Sequence, residues 1–413
     1  MLNKLKPELR YPAEFGWLLA LVFFLPLFEA PKNLSWLGYV ITWAYNRARD
    51  RNWGGPWDRW DNLLALWIAS GYLVAAFAGI RHDEWSGAND MLRYGSLLWF
   101  LKRSRYSESA LLWVLGTVIA STLVALFWGY WKLYVAKTSA DLGLNSVGHV
   151  NHSAIYMAIV LGVALGLTTA YWKRIGTACR AMLGVAVAAL LVSVFVTGSR
   201  AAAGAAVLFV LVFIAALGVR RRIDTSRNTL LAMLGIAVVL AVFPSVLDKT
   251  IDRTERGLVF SFRDKIWTNG LVEWRQFPLF GVGMGNFGHV TLEQLHDWSK
   301  SQNWDIRPSG EGINSHGHSL YLTALAERGL IGFGILIAVL LTWGRTLQRG
   351  VPGALDPPLD WALFGSALAA WLITVLVGIV NTTLHHEHGI LAALLLGLWL
   401  ARREAPERVP LQA

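Results

Sequence analysis

The chain has 413 residues, of which 55% are hydrophobic and only 15% charged, well short of the roughly 25% charged residues of soluble domains. Mean hydropathy is +0.44, and apolar stretches near bilayer-spanning length recur from end to end, which excludes an ordinary soluble globule and predicts an all-α polytopic membrane protein. In such a chain the net charge of +10 reports topology, not a nucleic-acid partner.

The first apolar stretch follows a basic start, "MLNKLKPELRYPAEFGWLLALVFFLPLF", with no small-residue cleavage site after it. It is therefore expected to be a retained span rather than a removed signal peptide. Twelve transmembrane helices are predicted near 15–28, 34–46, 61–80, 88–101, 110–128, 151–172, 178–197, 200–219, 228–246, 317–344, 360–381 and 385–401. The first, second and fourth are short. The basic clusters alternate with these spans: Lys4, Lys6 and Arg10; Arg47, Arg49, Arg51 and Arg59; Lys102, Arg103 and Arg105; Lys173, Arg174 and Arg180; Arg220, Arg221, Arg222 and Arg227; Arg345 and Arg349; Arg402 and Arg403. All fall on one side if the spans alternate, so the positive-inside rule predicts that both termini are cytoplasmic. The single cysteine, Cys179, can form no internal disulfide.

On the opposite side the longer segments are 129–150 and 247–316. The expected organisation is thus residues 1–246 with spans one to nine, a large helical loop at 247–316, and residues 317–413 with spans ten to twelve and a short tail. Within the loop, Phe260, Trp267, Leu271 and Trp274 recur at helical spacing, which predicts an amphipathic helix lying on the outer leaflet or packed on the spans. Pro278 is expected to end it, and "GVGMGNFG" follows. That run lacks the preceding strand and following acidic residue of a dinucleotide site, so tight turns at Gly281, Gly283 and Gly285 are the expectation.

The polar residues on this side are the candidates for chemistry. Arg200, at the mouth of the eighth span among small residues in "TGSRAAAG", could bind an anion through paired guanidinium hydrogen bonds or snorkel to headgroups. Arg263, beside Asp264, reads on its own as a surface arginine. His318, before the tenth span, could take a proton near neutral pH or serve as a structural hydrogen bonder, and His316 competes with it. Glu327 and Arg328 are expected to pair in the bundle or face a polar cavity. His385, His386, Glu387 and His388 supply metal-ligand types at poor metal spacing, so a polar cluster lining an outer cavity is expected and no metal site is assigned. Asn145, His149, Asn151 and His152 are possible acceptor contacts.

Three segments together carry a family resemblance. "HSLYLTALAERGLIG" resembles the H-[NSQ]-x9-G-x-x-G signature of bacterial O-antigen ligases and their relatives, through His318, Ser319, Gly329 and Gly332. "TGSRAAAG" is similar to the family's arginine segment at a span mouth, at Arg200. "FRDKIWTNGLVEWRQFPLFGVGMGNFG" resembles its outer-loop segment, through Arg263, Trp267, Pro278, Gly281, Gly283, Gly285 and Phe287. The resemblance covers residues 190–345, and the first third of the chain matches only as generic membrane helix.

It implies a membrane-embedded, GT-C-like inverting glycosyltransferase of the bacterial inner membrane, using neither metal nor nucleotide. The implied donor is O-antigen on undecaprenyl pyrophosphate, and the implied acceptor is lipid A-core. Catalytic roles are expected for His318, Arg200 and Arg263, with substrate contacts from Arg200, Arg263, Trp267, Ser319 and His316. O-antigen polymerases and O-linked protein oligosaccharyltransferases share these motifs. The short stretch after Arg403 favours a ligase, because the oligosaccharyltransferases usually carry a further periplasmic region. A transporter is disfavoured, because the candidates sit at the outer rim and no internal repeat is apparent.

Overall fold

Each expected span that falls on described residues forms a helix. The computed structural model describes residues 9–221 and 263–403; the ninth span, near 228–246, and Phe260 lie outside them. In chain order the helices are α1 (Pro12–Phe24), α2 (Glu29–Asp50), α3 (Arg59–Ala76), α4 (Glu84–Lys102), α5 (Glu108–Tyr130), α6 (Val150–Tyr171), α7 (Thr177–Val196), α8 (Arg200–Arg221), α9 (Arg263–Gln276), α10 (Leu292–Ser301), α11 (Leu320–Arg349), α12 (Pro358–Val377) and α13 (His386–Arg403). Among the described residues there is no strand.

Six helices, α5 to α8, α11 and α12, are long and apolar enough to cross a membrane, which makes this a polytopic helical membrane protein. Among the described residues, length and composition thus single out six spans where the sequence pattern predicts eleven of its twelve. The physical reason is visible in the others: α1 has only 13 residues. Helix α2 carries Glu29, Lys32, Arg47, Arg49 and Asp50, α4 carries Glu84, Asp90, Arg93 and Lys102, and α13 carries Glu387, Arg402 and Arg403.

Helix α6 is the hub. It buries sixteen of its residues and lies against α12 at backbone-contact distance. A Cβ added to Gly166 would stand 2.8 Å from the Ala362 carbonyl. Small residues at such a crossing let two helices approach where lipid offers no hydrophobic drive.

The two ends of the bundle hold separate polar networks. At one end the buried Glu14 carboxylate accepts hydrogen bonds from Asn46 (2.9 Å), Arg47 (3.3 Å) and the Tyr106 hydroxyl (2.9 Å). There too, buried Asp61 holds Arg103 at 2.7 Å and Lys102 at 3.2 Å. Some of the cations that mark topology in the sequence are therefore also buried partners of carboxylates. At the other end Lys32 of α2 bonds Glu387 of α13, both nearly inaccessible, and Asn145 donates to the Leu27 carbonyl at 2.7 Å. A hydrogen bond between Tyr130 and Ser193, 3.0 Å long, brings the end of α7, and so Arg200, to this same end.

Helix α11 is not continuous. Gly329 has φ +57° and ψ −165° inside it, conformations essentially reserved for glycine. The break receives the segment after α9. Leu330 N–H donates to the Pro278 carbonyl (2.8 Å), while Val282 N–H donates to Ala326 (2.9 Å) and Gly283 N–H to Glu327 (3.0 Å). A broken helix is absent from the sequence expectation, because none of the three glycines interrupts the apolar pattern of "LAERGLIGFGILI".

Helix α9 ends at Gln276, two residues before the expected Pro278. Its aromatic stripe does not face the protein core. Leu271 is exposed, Trp267 and Trp274 are half-buried, and the buried face is Ile266, Asn269, Gly270, Val272 and Glu273. Gly270 fits against Phe287 and Leu322, and the Asn269 amide clamps Ser309 through two hydrogen bonds of 2.9 and 3.0 Å. Of the two placements open to this amphipathic helix, the structure supports packing on the spans, since Gly270 meets Leu322 of α11.

Candidate functional site

The loop before α11 is fixed by its own cap. Ser319 is the N-cap: its hydroxyl accepts from Leu322 N–H at 3.4 Å and donates to the Gly378 carbonyl at 3.3 Å. Leu320 N–H is shared between the carbonyls of Gly378 (2.8 Å) and Asn381 (3.0 Å), so the α11 start is bolted to the end of α12. A serine in this position satisfies an orphan helix donor. With Ser319 only 5% exposed, its hydroxyl serves to position its neighbour. That neighbour, His318, is held at φ +45°, a left-handed conformation uncommon outside glycine.

The imidazoles of His316 and His318 are 4.3 Å apart. Burial pulls His318 down to about 4, with repulsion from His316, Arg263 and His149 adding to it. It is therefore neutral at physiological pH. That influence also establishes that Arg263, the first residue of α9, lies within electrostatic reach of His318. His318 Nδ1 and His316 Nε2 are buried atoms that make no hydrogen bond to described residues. Buried polar atoms normally have partners, and these two are open to hydrogen-bond a polar group brought to them.

Beside this pair is a cavity of about 540 Å³. Its wall brings together His316, His152, His385 and His386 with Asp83 and Asp90. His152, the third residue of α6, is the centre of the histidine cluster, with ring centroids of His388, His386, His385 and His316 at 5.1, 5.6, 6.2 and 6.2 Å. Of the segment His385–His388, His385 and His386 line the cavity, while Glu387 is taken by Lys32. His388 itself points to the Thr382 carbonyl at 3.3 Å.

Glu327 and Arg328 also border this cavity. Arg328 donates to Ser70 of α3 at 3.2 Å, and Glu327 accepts from the backbone of Gly285 and Phe287. The cavity-facing expectation is the one the structure shows, while each residue makes its hydrogen bonds to others. Across from Glu327, burial holds the Glu273 carboxyl well above the usual range, with the Glu327 charge adding to it.

The remaining candidates are distributed around this centre. Arg200 opens α8 and is half-buried, at the same end of the bundle but outside the wall of the cavity. Trp267 stands one turn after Arg263, half-buried. Sequence reasoning passed over the contribution of the first third of the chain: Asp83, Asp90 and Tyr94 line the cavity from the start of α4. The signal was the polar run "RHDEWSGAND" between two short apolar stretches.

No curated protein matches the chain. The family model described as O-antigen ligase matches residues 185–337, a stretch that contains Arg200, Arg263, Trp267, His316, His318 and Ser319. Over this stretch, a little over a third of the chain, the protein is similar to the O-antigen ligase/polymerase superfamily, whose members are membrane glycosyltransferase-like enzymes.

Proposed function

We propose that the protein is an O-antigen ligase. It transfers O-antigen polysaccharide from undecaprenyl pyrophosphate to lipid A-core at the periplasmic face of the bacterial inner membrane. The observation that carries this reading is His318, held at its helix cap, next to His316 and within electrostatic reach of Arg263, within the stretch matched by the family.

In this reaction an acceptor sugar hydroxyl attacks C1 of the donor sugar from the face opposite the leaving group. The new C1–O bond forms as the bond to pyrophosphate breaks, which inverts the configuration. The hydroxyl proton goes to His318, whose neutral imidazole has a free lone pair. Negative charge grows on the departing pyrophosphate, and Arg263 and Arg200 stabilise it through guanidinium–phosphate hydrogen bonds. Two fixed cations supply charge where many sugar transferases use a metal. Trp267 and His316 contact the sugars, and Ser319 holds the His318 loop. The cavity suits the acceptor: its carboxylates, hydroxyls and imidazoles match sugar hydroxyls and disfavour a second phosphate. In the twelve-span topology with cytoplasmic termini, all of these groups face the periplasm, where the lipid donor enters sideways between helices.

The test is transfer by purified protein from undecaprenyl-pyrophosphate O-antigen to lipid A-core. Wild type should yield capped lipopolysaccharide and free undecaprenyl pyrophosphate. His318→Ala, Arg200→Ala and Arg263→Ala should each lose transfer, by about 10²-fold or more, while still inserting in the membrane. Longer undecaprenyl-linked chains in place of capped lipopolysaccharide would make the protein a polymerase. Normal ligation by His318→Ala would remove the proposed base.

A further inference from the structure

At the rim of the cavity, away from His318, two histidines and a carboxylate from distant parts of the sequence converge. His82 and Asp83 lie in the loop before α4, and His289 ends the single 3₁₀ turn Phe287–His289. Asp83 holds His289 Nε2 at 2.9 Å and His82 Nδ1 at 3.6 Å, one carboxylate oxygen to each. The two imidazoles are stacked, centroids 3.5 Å apart and planes inclined by 15°. One ligand atom from each of the three residues falls within 4.8 Å of the others, the one group among the described residues that does so.

We propose that His82, Asp83 and His289 form a binding site for a borderline divalent cation, with zinc the preferred ion. Two imidazole nitrogens and one carboxylate oxygen are the ligand types such ions take, and solvent completes the coordination shell. Two imidazoles in van der Waals contact repel when both are protonated. A divalent cation replaces those protons and uses both lone pairs at once. All three side chains remain accessible, with between 36% and 56% of each exposed, so an ion reaches them from solution.

A cluster of surface ligands needs a rigid support to act as a site, and here the support is a single buried amide. Asn286 is fully buried. Its Oδ1 accepts from Asp83 N–H at 2.8 Å, and its Nδ2 donates to the carbonyls of Ile80 (3.0 Å) and Val282 (3.1 Å). Two backbone hydrogen bonds, Gly79 to Gly281 (3.0 Å) and Ile80 to Val282 (3.2 Å), tie the same two segments. The loop bearing His82 and Asp83 and the turn bearing His289 are thus registered against each other before any ion arrives. Asp83 and Gly285 both belong to the cavity wall, so a bound cation clips the wall at its rim. The role is structural: the ion holds the wall that Asp83 belongs to, and no step of the transfer proposed above runs through it.

The experiment uses full-length protein purified without an oligohistidine tag and stripped with chelator. Titration with Co²⁺ should give a visible d–d absorption that saturates at one equivalent and is displaced by Zn²⁺. The His82→Ala/His289→Ala pair should abolish that equivalent. Asp83→Asn, which keeps the shape and removes the charge, should weaken it by at least about tenfold. His385→Ala/His386→Ala, which alters the separate histidine cluster of the cavity, should leave it intact. Absence of a saturable equivalent at micromolar metal overturns the proposal. So does an equivalent that persists in the His82/His289 variant, or one that is lost only from the His385/His386 variant. Metal binding is read without transfer activity, so failure here and failure of the ligase reading are separate results.

Discussion

Gly329→Ala should damage the fold more than its size suggests. The backbone there has φ +57° and ψ −165°, and forcing a side chain into that region costs about 1–3 kcal/mol. Space is also lacking: the new Cβ would stand 2.3 Å from the carbonyl carbon and oxygen of Leu279 and 2.5 Å from the Phe280 nitrogen. These are backbone atoms and cannot rotate away. Relief requires the 278–283 segment to lift off α11, which strains the hydrogen bonds Leu330 to Pro278 (2.8 Å) and Val282 to Ala326 (2.9 Å), worth about 1 kcal/mol each. The expected total is at least about 3 kcal/mol of destabilisation. Gly334→Ala is the control, five residues on in the same helix with nothing within 4 Å of an added Cβ. There the better helix propensity of alanine should leave stability unchanged or raise it by up to ~1 kcal/mol. Thermal unfolding in detergent, followed by far-UV circular dichroism, compares the two with wild type. Equal midpoints for Gly329→Ala and Gly334→Ala would refute the account of the helix break.

The acid limb of transfer activity should fall near pH 4, the value to which burial pulls His318; a limb near ~6.5, the ordinary histidine value, would show that the base titrates as an exposed imidazole. Stability follows the same sign: the unfolded chain takes up a proton at ~6.5 that folded His318 refuses until about 4, so this contribution is complete above 6.5 and is lost as pH falls through 4, readable as a falling unfolding midpoint across that window. Lys32→Met should cost ~3–5 kcal/mol, because Glu387, 2% exposed, would lose its ammonium partner, while Lys32→Met/Glu387→Gln should recover most of that. Equal unfolding midpoints for the single and double variants would contradict a buried-charge penalty.

Helices were legible in the sequence because each described span expectation rests on a long apolar pattern, and pattern survives any tertiary detail. The number of helices that meet a membrane-spanning criterion was not. Whether a stretch such as α4, with Asp90 and Arg93 inside it, faces lipid or a protein cavity depends on neighbours far along the chain. His318 was legible through its motif, but the reason for the serine after it was not. The hydroxyl of Ser319 is a cap and a tether to Gly378, and only the fold brings residue 378 beside residue 319. His152 and Asp83 carried no motif. Their place in the cavity wall comes from packing of α6 and α4 against the α12–α13 turn and the outer loop.

The two glycine motifs, apart by some forty residues in the chain, are one structural unit. Gly329 opens a gap in α11, and the run from Pro278 to Gly283 fills it with backbone hydrogen bonds. Gly281 must be glycine for the reciprocal reason: its φ is +70°, and a Cβ there would meet the Ala326 carbonyl oxygen at 2.4 Å. Gly332 has a different task. A Cβ on it would strike the Arg328 side chain, 2.3 Å from its Cβ and 2.7 Å from Nε, so its absence lets Arg328 fold back along the helix toward Ser70. The spacing between His318 and Gly329 therefore measures the first segment of a broken helix. Its N-terminal cap holds the histidine, and its C-terminal break holds the loop that descends from Arg263. Shortening or lengthening that segment by one residue would rotate the His318 loop by about 100° relative to the break, away from the α9 arginine. Both ends of the pattern are thus needed to bring one histidine and one arginine to the same place.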